Sequence, residues 1–170
     1  MPKPTAALAA IQMQAPVKVE RPIPVLAIDP GSRMGWAVPG ESGVAITTKR
    51  AGEEREAWHA RLFDRTSERV AELVAIHRPA VLAIEGPSAN GMKGNQSPVA
   101  LGLRAVIYVV ARRHELLIDP VPPMSWKSWA KRHGWTDADK ADEADAMWIR
   151  DYWLAVRAPR IEVEPLETVA

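Results

Sequence analysis

Two stretches of the chain share one design. Pro24 to Asp29 (Pro-Val-Leu-Ala-Ile-Asp) and Ala80 to Glu85 (Ala-Val-Leu-Ala-Ile-Glu) are unbroken apolar runs that each close on a carboxylate and a turn-forming residue. An apolar run without alternation predicts a strand buried on both faces. Pro30-Gly31-Ser32 and Gly86-Pro87 then supply the turns. Met34 to Val38 and Gly43 to Thr48 are two further short apolar runs, separated by Pro39 to Gly43, and predict an antiparallel meander with the first strand. From Glu54 to His77 the positions Trp58, Leu62, Phe63, Val70, Leu73, Val74 and Ile76 fall mostly at helical spacing, which predicts one long amphipathic helix stopping before Pro79. Ser97-Pro98 provides an N-cap and a first-turn proline for a second helix reaching about His114. Leu116 to Val121 reads as a fifth strand and Ser125 to His133 as a short basic helix closed by Gly134. Thr136 with Asp139 starts a last helix over Asp137 to Trp153. The order β-β-β-α-β-α-β-α-α predicts an α/β fold: a mixed five-stranded sheet, antiparallel through its first three strands and parallel thereafter, flanked by helices.

Composition narrows the chemistry. With 170 residues, 47% hydrophobic and 25% charged, the chain has the make-up of a single globular domain. It contains no cysteine, which excludes a thiolate nucleophile and an iron–sulfur cluster. Lysine and arginine total 22 against 21 acids, so the net charge of +1 says nothing about a polyanionic partner and any such argument must come from local clustering. No window approaches the roughly 20 apolar residues that span a bilayer, so no membrane partner is expected and the chain reads as cytoplasmic. Residues 1–23 lack the order of a signal peptide and read as a flexible arm. The expected globular domain covers residues 24–157, and residues 158–170 read as a loose tail. Seven tryptophans stand against one phenylalanine, five of them from Trp126 to Trp153. Core packing is the plain reading, with stacking on bases as the alternative for Trp126 and Trp129.

In a largely parallel sheet, functional groups gather beyond the carboxyl ends of the strands, so Asp29 and Glu85 are expected to face one crevice. Asp142 and Asp145 lie three residues apart on one face of the last helix, within Ala141-Asp-Glu-Ala-Asp-Ala146, where alanines permit close approach to the sheet. Four converging carboxylates repel one another strongly without cations. Hard oxygen ligands of this kind suit magnesium or manganese, commonly as a pair that clamps a phosphodiester. Plainer readings exist for some of them. An Asp before Pro-Gly also serves as a turn residue, and acids opening a helix also answer its dipole. Glu85 is harder to explain that way, because a carboxylate closing a buried strand is costly unless something pairs with it.

Ile28-Asp-Pro-Gly-Ser32 with Gly35-Trp-Ala-Val38, then Ile84-Glu85, then Asp142-Glu-Ala-Asp-Ala146, in that order and spacing, resembles the RuvC family of Holliday junction resolvases, particularly its compact phage-type members. The resemblance runs from about Pro24 to Ala155. It implies an RNase H-like fold, a homodimer, and two Mg2+ per active site, with Mn2+ able to substitute, held by Asp29, Glu85, Asp142 and Asp145. It also implies hydrolysis of four-way and related branched DNA to 5′-phosphate and 3′-hydroxyl ends. Lys127 matches the first lysine of the family's basic segment and would stabilise charge on the scissile phosphate. That segment is short here, and Lys140 sits only two residues before Asp142, out of place for the second lysine. The loop after Glu85 holds Met92 where cellular members place an aromatic wedge.

Between Pro98 and Trp135 six Lys/Arg stand against two acids, whereas Thr136 to Arg150 holds five acids and two cations. A basic flank beside an acid pocket suits DNA held by its phosphates. The DNA-contact candidates are Met92, Lys93, Asn95, Arg104, Lys131, Arg132 and Lys140. The helix starting at Pro98 is too apolar for a one-sided surface helix and is the expected dimer element. The alternatives are a YqgF-like ribonuclease acting on structured RNA and a non-catalytic branched-DNA-binding relative. An actin-like ATPase needs a much longer chain.

Overall fold

The computed structural model describes residues 23–87, 97–136 and 142–158. Five strands form one sheet: β1 (Val25–Asp29), β2 (Arg33–Val38), β3 (Glu41–Ile46), β4 (Val81–Glu85) and β5 (Leu117–Val121), in the spatial order β3-β2-β1-β4-β5. β1 to β3 pair antiparallel, and β1–β4 and β4–β5 pair parallel. The helices are α1 (Arg55–His77), α2 (Pro98–Arg113), α3 (Pro123–Arg132) and α4 (Asp142–Tyr152), the last continuing as a π-helical turn over Trp153–Arg157. This is the mixed sheet expected from the sequence.

The unbroken apolar strands are buried on both sides, as their pattern requires. Leu26, Ile28, Leu82 and Ile84 face a cluster completed by Val70, Leu73 and Val74 of α1 and Ile107 and Val110 of α2. Val25, Ala27, Val81 and Ala83 face the other side, where Trp126 and Ala130 of α3 meet Ala146 and Ile149 of α4 and Trp153. Small residues on that second face let α4 lie close to β1 and β2. Trp126 and Trp153 are fully buried, and Trp129 packs edge-on against Trp148 and Tyr152. These tryptophans are core, and base stacking does not apply to Trp126.

Two local expectations are corrected, the β2–β3 turn and the start of α3. The β2–β3 connection is the two-residue turn Pro39-Gly40, with Gly40 at φ +86°, a backbone that favours glycine; Ser42 and Glu41 belong to β3 and pair with Ala37 and Val38. α3 starts at Pro123, because proline at the first helical position loses no needed N–H. Ile23 and Ala158, placed by the sequence reading in the arm and the tail, pack against the second cluster. The start expected for the last helix, residues 137–141, lies outside the described residues. Among the described residues no helix is long and apolar enough to cross a membrane.

Candidate functional site

Parallel pairing of β1 with β4 matches Ile28 to Ile84, so the next residues, Asp29 and Glu85, end side by side at the same edge of the sheet. β2 runs antiparallel to β1 and sets Gly35 opposite Asp29. The start of α4 rests on that glycine: a Cβ on Gly35 would stand 1.7 Å from the carbonyl oxygen of Asp142. A bare position in β2 therefore decides how near the acids of α4 come to those of β1 and β4. Arg33, first residue of β2, donates from Nε to Asp142 Oδ2 at 2.7 Å. Ser42 of β3 donates to Glu143 Oε1 at 2.7 Å, a second tie between the hairpin and the first turn of α4.

The opposite wall is α3. The buried Trp126 indole N–H donates to Glu85 Oε1 at 3.3 Å, and Lys127 Nζ stands 3.5 Å from the same oxygen and 4.9 Å from the Trp126 ring centre. Arg104 of α2 donates to the carbonyl oxygens of Glu85 and Gly86 at 3.0 and 3.1 Å. Glu85 is thus held from both faces of the sheet, its backbone by Arg104 and its carboxylate by Trp126 and Lys127.

Burial and the crowding of like charges set the electrostatics. Desolvation, the neighbouring charges of Glu85 and Asp145 and a hydrogen bond with Glu85 push the Asp29 carboxyl up to about 8, against an opposing pull from Lys127. Asp29, Glu85 and Asp145 therefore share one electrostatic neighbourhood, with Lys127 beside them. Asp142 is turned to Arg33. Among the described residues no three His, Cys, Asp or Glu side chains are gathered closely enough to form a finished metal cage.

Of the other residues singled out from sequence, Arg104 is half-buried and engaged with backbone carbonyls, not presented outward. Lys131 stands 5.6 Å from the Trp135 ring centre and Arg132 donates to Ser128 at 3.1 Å, both exposed on the last turn of α3. Met92, Lys93, Asn95 and Lys140 lie outside the described residues. Sequence reasoning missed Arg33 and Trp126 as partners of the acids, and it quoted Gly35 without its packing role. The available signal was the glycine itself, set among the apolar residues Met34, Trp36, Ala37 and Val38 next to the strand that delivers Asp29.

No protein-family model matches the chain. In sequence it is similar to the crossover junction endodeoxyribonuclease RuvC of Rhodopseudomonas palustris, 31% identical over 112 residues, 63% of this chain and 63% of that protein. The same figures hold for RuvC from a second strain of that organism. The chain thus spans a little under two thirds of the curated relatives it matches. In structure it is similar to Thermus thermophilus RuvC in complex with Holliday junction substrate, with a TM-score of 0.58 at 20% identity over 75% of this chain and 89% of that one. A second T. thermophilus RuvC structure matches with a TM-score of 0.57 at 17% identity, over 78% and 95% of the two chains. The resemblance to the RuvC family carried by three short motifs is borne out by both comparisons, and the fold of this chain is the RNase H-like fold of RuvC.

Proposed function

We propose that the chain is a metal-dependent, structure-selective DNA endonuclease that resolves four-way junctions and related branched DNA, acting as a homodimer in the cytoplasm. The observation that supports it best is the electrostatic coupling of Asp29 to Glu85 and Asp145, with Lys127 alongside, at the carboxyl edge of β1 and β4. The carboxylates of Glu85 and Asp145 raise the affinity of Asp29 for a proton, and a cation bound there would relieve the same repulsion. A donor set made only of carboxylate oxygens fits a hard divalent cation. Asp29, Glu85, Asp145 and, once released from Arg33, Asp142 would hold two Mg2+, or Mn2+ in its place. Bound there, the metal supplies an activated water and countercharge for the scissile phosphate, giving 5′-phosphate and 3′-hydroxyl ends. The chain's own residues do the rest. Trp126 and Arg104 fix Glu85 from two sides, and Lys127 brings an ammonium to the edge of the acids, where charge develops on the phosphate. The exposed apolar residues of α2, Leu101 and Val109, support a partner copy on that helix.

The test is incubation with magnesium and a synthetic four-way junction, beside a linear duplex of the same sequence and a structured RNA. The junction is expected to be cut, leaving ligatable 5′-phosphate ends. Asp145→Asn is expected to abolish cutting while junction binding and thermal stability hold or rise, because one like charge has been removed. Preferential cleavage of the RNA would establish the ribonuclease instead, and binding without cleavage would make the chain a non-catalytic relative.

A further inference from the structure

A groove of about 340 Å³ lies between the end of β3 and α1, its lining including Arg50, Arg61, Arg65 and Arg69 together with Glu68 and Glu72. It begins where the candidate site ends. Thr47 N–H donates to the Ser32 carbonyl at 2.8 Å, in the turn that follows Asp29, and Ile46 pairs in register with Arg33, the partner of Asp142. Arg61, Arg65 and Arg69 recur every fourth residue and so form one row along α1, about 6 Å apart at 1.5 Å of rise per residue. From Arg50 at the sheet's carboxyl edge, the row leads away from the acids.

The arginines are not equally committed. Arg61 is fixed, donating to both carboxylate oxygens of Glu53 at 2.8 and 2.6 Å and to the Thr48 carbonyl at 2.9 Å. It stiffens the loop that carries Arg50. Arg69 pairs with Glu72 at 2.7 Å and lies over the Trp36 ring, 5.3 Å from its centre. Arg65 pairs with Glu68 at 3.1 Å with 64% and 66% of the two side chains exposed, a solvent-screened pair that another anion displaces readily. Arg50 is tied to Glu53 through its backbone, its N–H donating to the Glu53 carboxylate and its carbonyl accepting from the Glu53 N–H, and among the described residues no hydrogen bond of its guanidinium is seen. With Arg61 committed to Glu53 and Arg69 to Glu72, Arg50 and Arg65 are the groove's available guanidinium groups, suited to phosphates of a passing backbone.

We infer that this groove carries a double-stranded arm of branched DNA away from the acids, gripping its phosphate backbone through Arg50 and Arg65. The inference rests on the nuclease reading and extends it to a surface on the opposite side of the sheet from the basic helix α3. It gives a role to a cationic groove that an edge strand and a helix enclose next to the turn following Asp29. Backbone contacts of this kind add affinity without reading sequence.

The test is equilibrium binding of a four-way junction by the full chain before magnesium is added, by fluorescence anisotropy across a salt series. Long-armed and truncated-arm junctions are compared. The double variant Arg50→Gln/Arg65→Gln is expected to bind the long-armed junction roughly tenfold more weakly, with a log–log salt slope shallower by about two. Arg78→Gln, which removes a cation at the far end of α1, is expected to behave as wild type, and the truncated junction is expected to lose little with either protein. A thermal melt of the double variant checks that it folds, and Arg65→Gln alone, at the most exposed position, is the fallback with an expected slope change of about one. If wild type binds the junction and the folded double or single variant binds it with unchanged affinity and slope, the groove inference is overturned and the nuclease reading stands. If wild type binds no junction, both fall.

Discussion

Asp29 shows how the surroundings of one side chain define a site. Its carboxyl sits at a strand end where burial favours the neutral form, and the adjacent charges of Glu85 and Asp145 push in the same direction, raising it to about 8. In the unfolded chain the same group ionises near its ordinary value of 3.8. Between these two values the folded state binds more protons than the unfolded state, so stability must fall as pH rises and is fully lost from this source above about 8. The metal-free protein is therefore expected to melt at lower temperature as pH rises through that window, and Asp29→Asn is expected to flatten the dependence. A divalent cation takes the place of the proton, so its binding near neutral pH should release about one proton, read by calorimetry in buffers of different ionisation enthalpy. A flat melting profile in the metal-free wild type would show that Asp29 is already ionised.

At the scale of elements, the contact between α4 and β2 determines whether the acids meet. Because a Cβ on Gly35 would stand 1.7 Å from the Asp142 carbonyl oxygen, Gly35→Ala has to displace the start of α4. The expected cost is about 1–3 kcal/mol of stability, as for other overpacked positions, together with weaker binding of manganese, since Asp142 and Asp145 move with the helix. Unchanged melting and metal affinity would mean that α4 shifts without consequence. Contacts of this kind also mark the limit of what the sequence reveals. Asp29 and Glu85 could be found because an apolar run ending in an acid is a local pattern that survives folding intact. The tie between Arg33 and Asp142 joins residues 109 apart, and no periodicity carries that information. Arg104 illustrates a different gap, because a cation on a helix reads the same whether it meets DNA or, as here, the carbonyls of Glu85 and Gly86. Polarity at Glu41 and Ser42 makes the β2–β3 connection look longer in the sequence than it is, because an edge strand with a solvent-facing side accepts polar residues.

At the scale of the whole molecule the unanswered demand is on α2. Its inner face, Leu103, Ile107, Val110 and Ala111, is spent on the core against α1 and the sheet. Leu101 and Val109 are left about half exposed, 50% and 49%, two turns apart on the outer side of the same helix. Cutting a four-way junction in two symmetric strands needs two sites related by a two-fold axis, and a self-complementary apolar face on one helix is the simplest way to build that axis. Leu101→Glu/Val109→Glu puts like charges across such a contact without touching the inner face. The variant is expected to stay folded, with near-normal far-UV circular dichroism, but to run as a monomer by light scattering where wild type runs as a dimer. It should also lose paired incision of a cruciform plasmid, giving nicked circles in place of linear product. If wild type is itself monomeric at micromolar concentration, or the variant remains a dimer, the two-fold axis does not pass through α2, and the exposed Leu101 and Val109 serve some other contact.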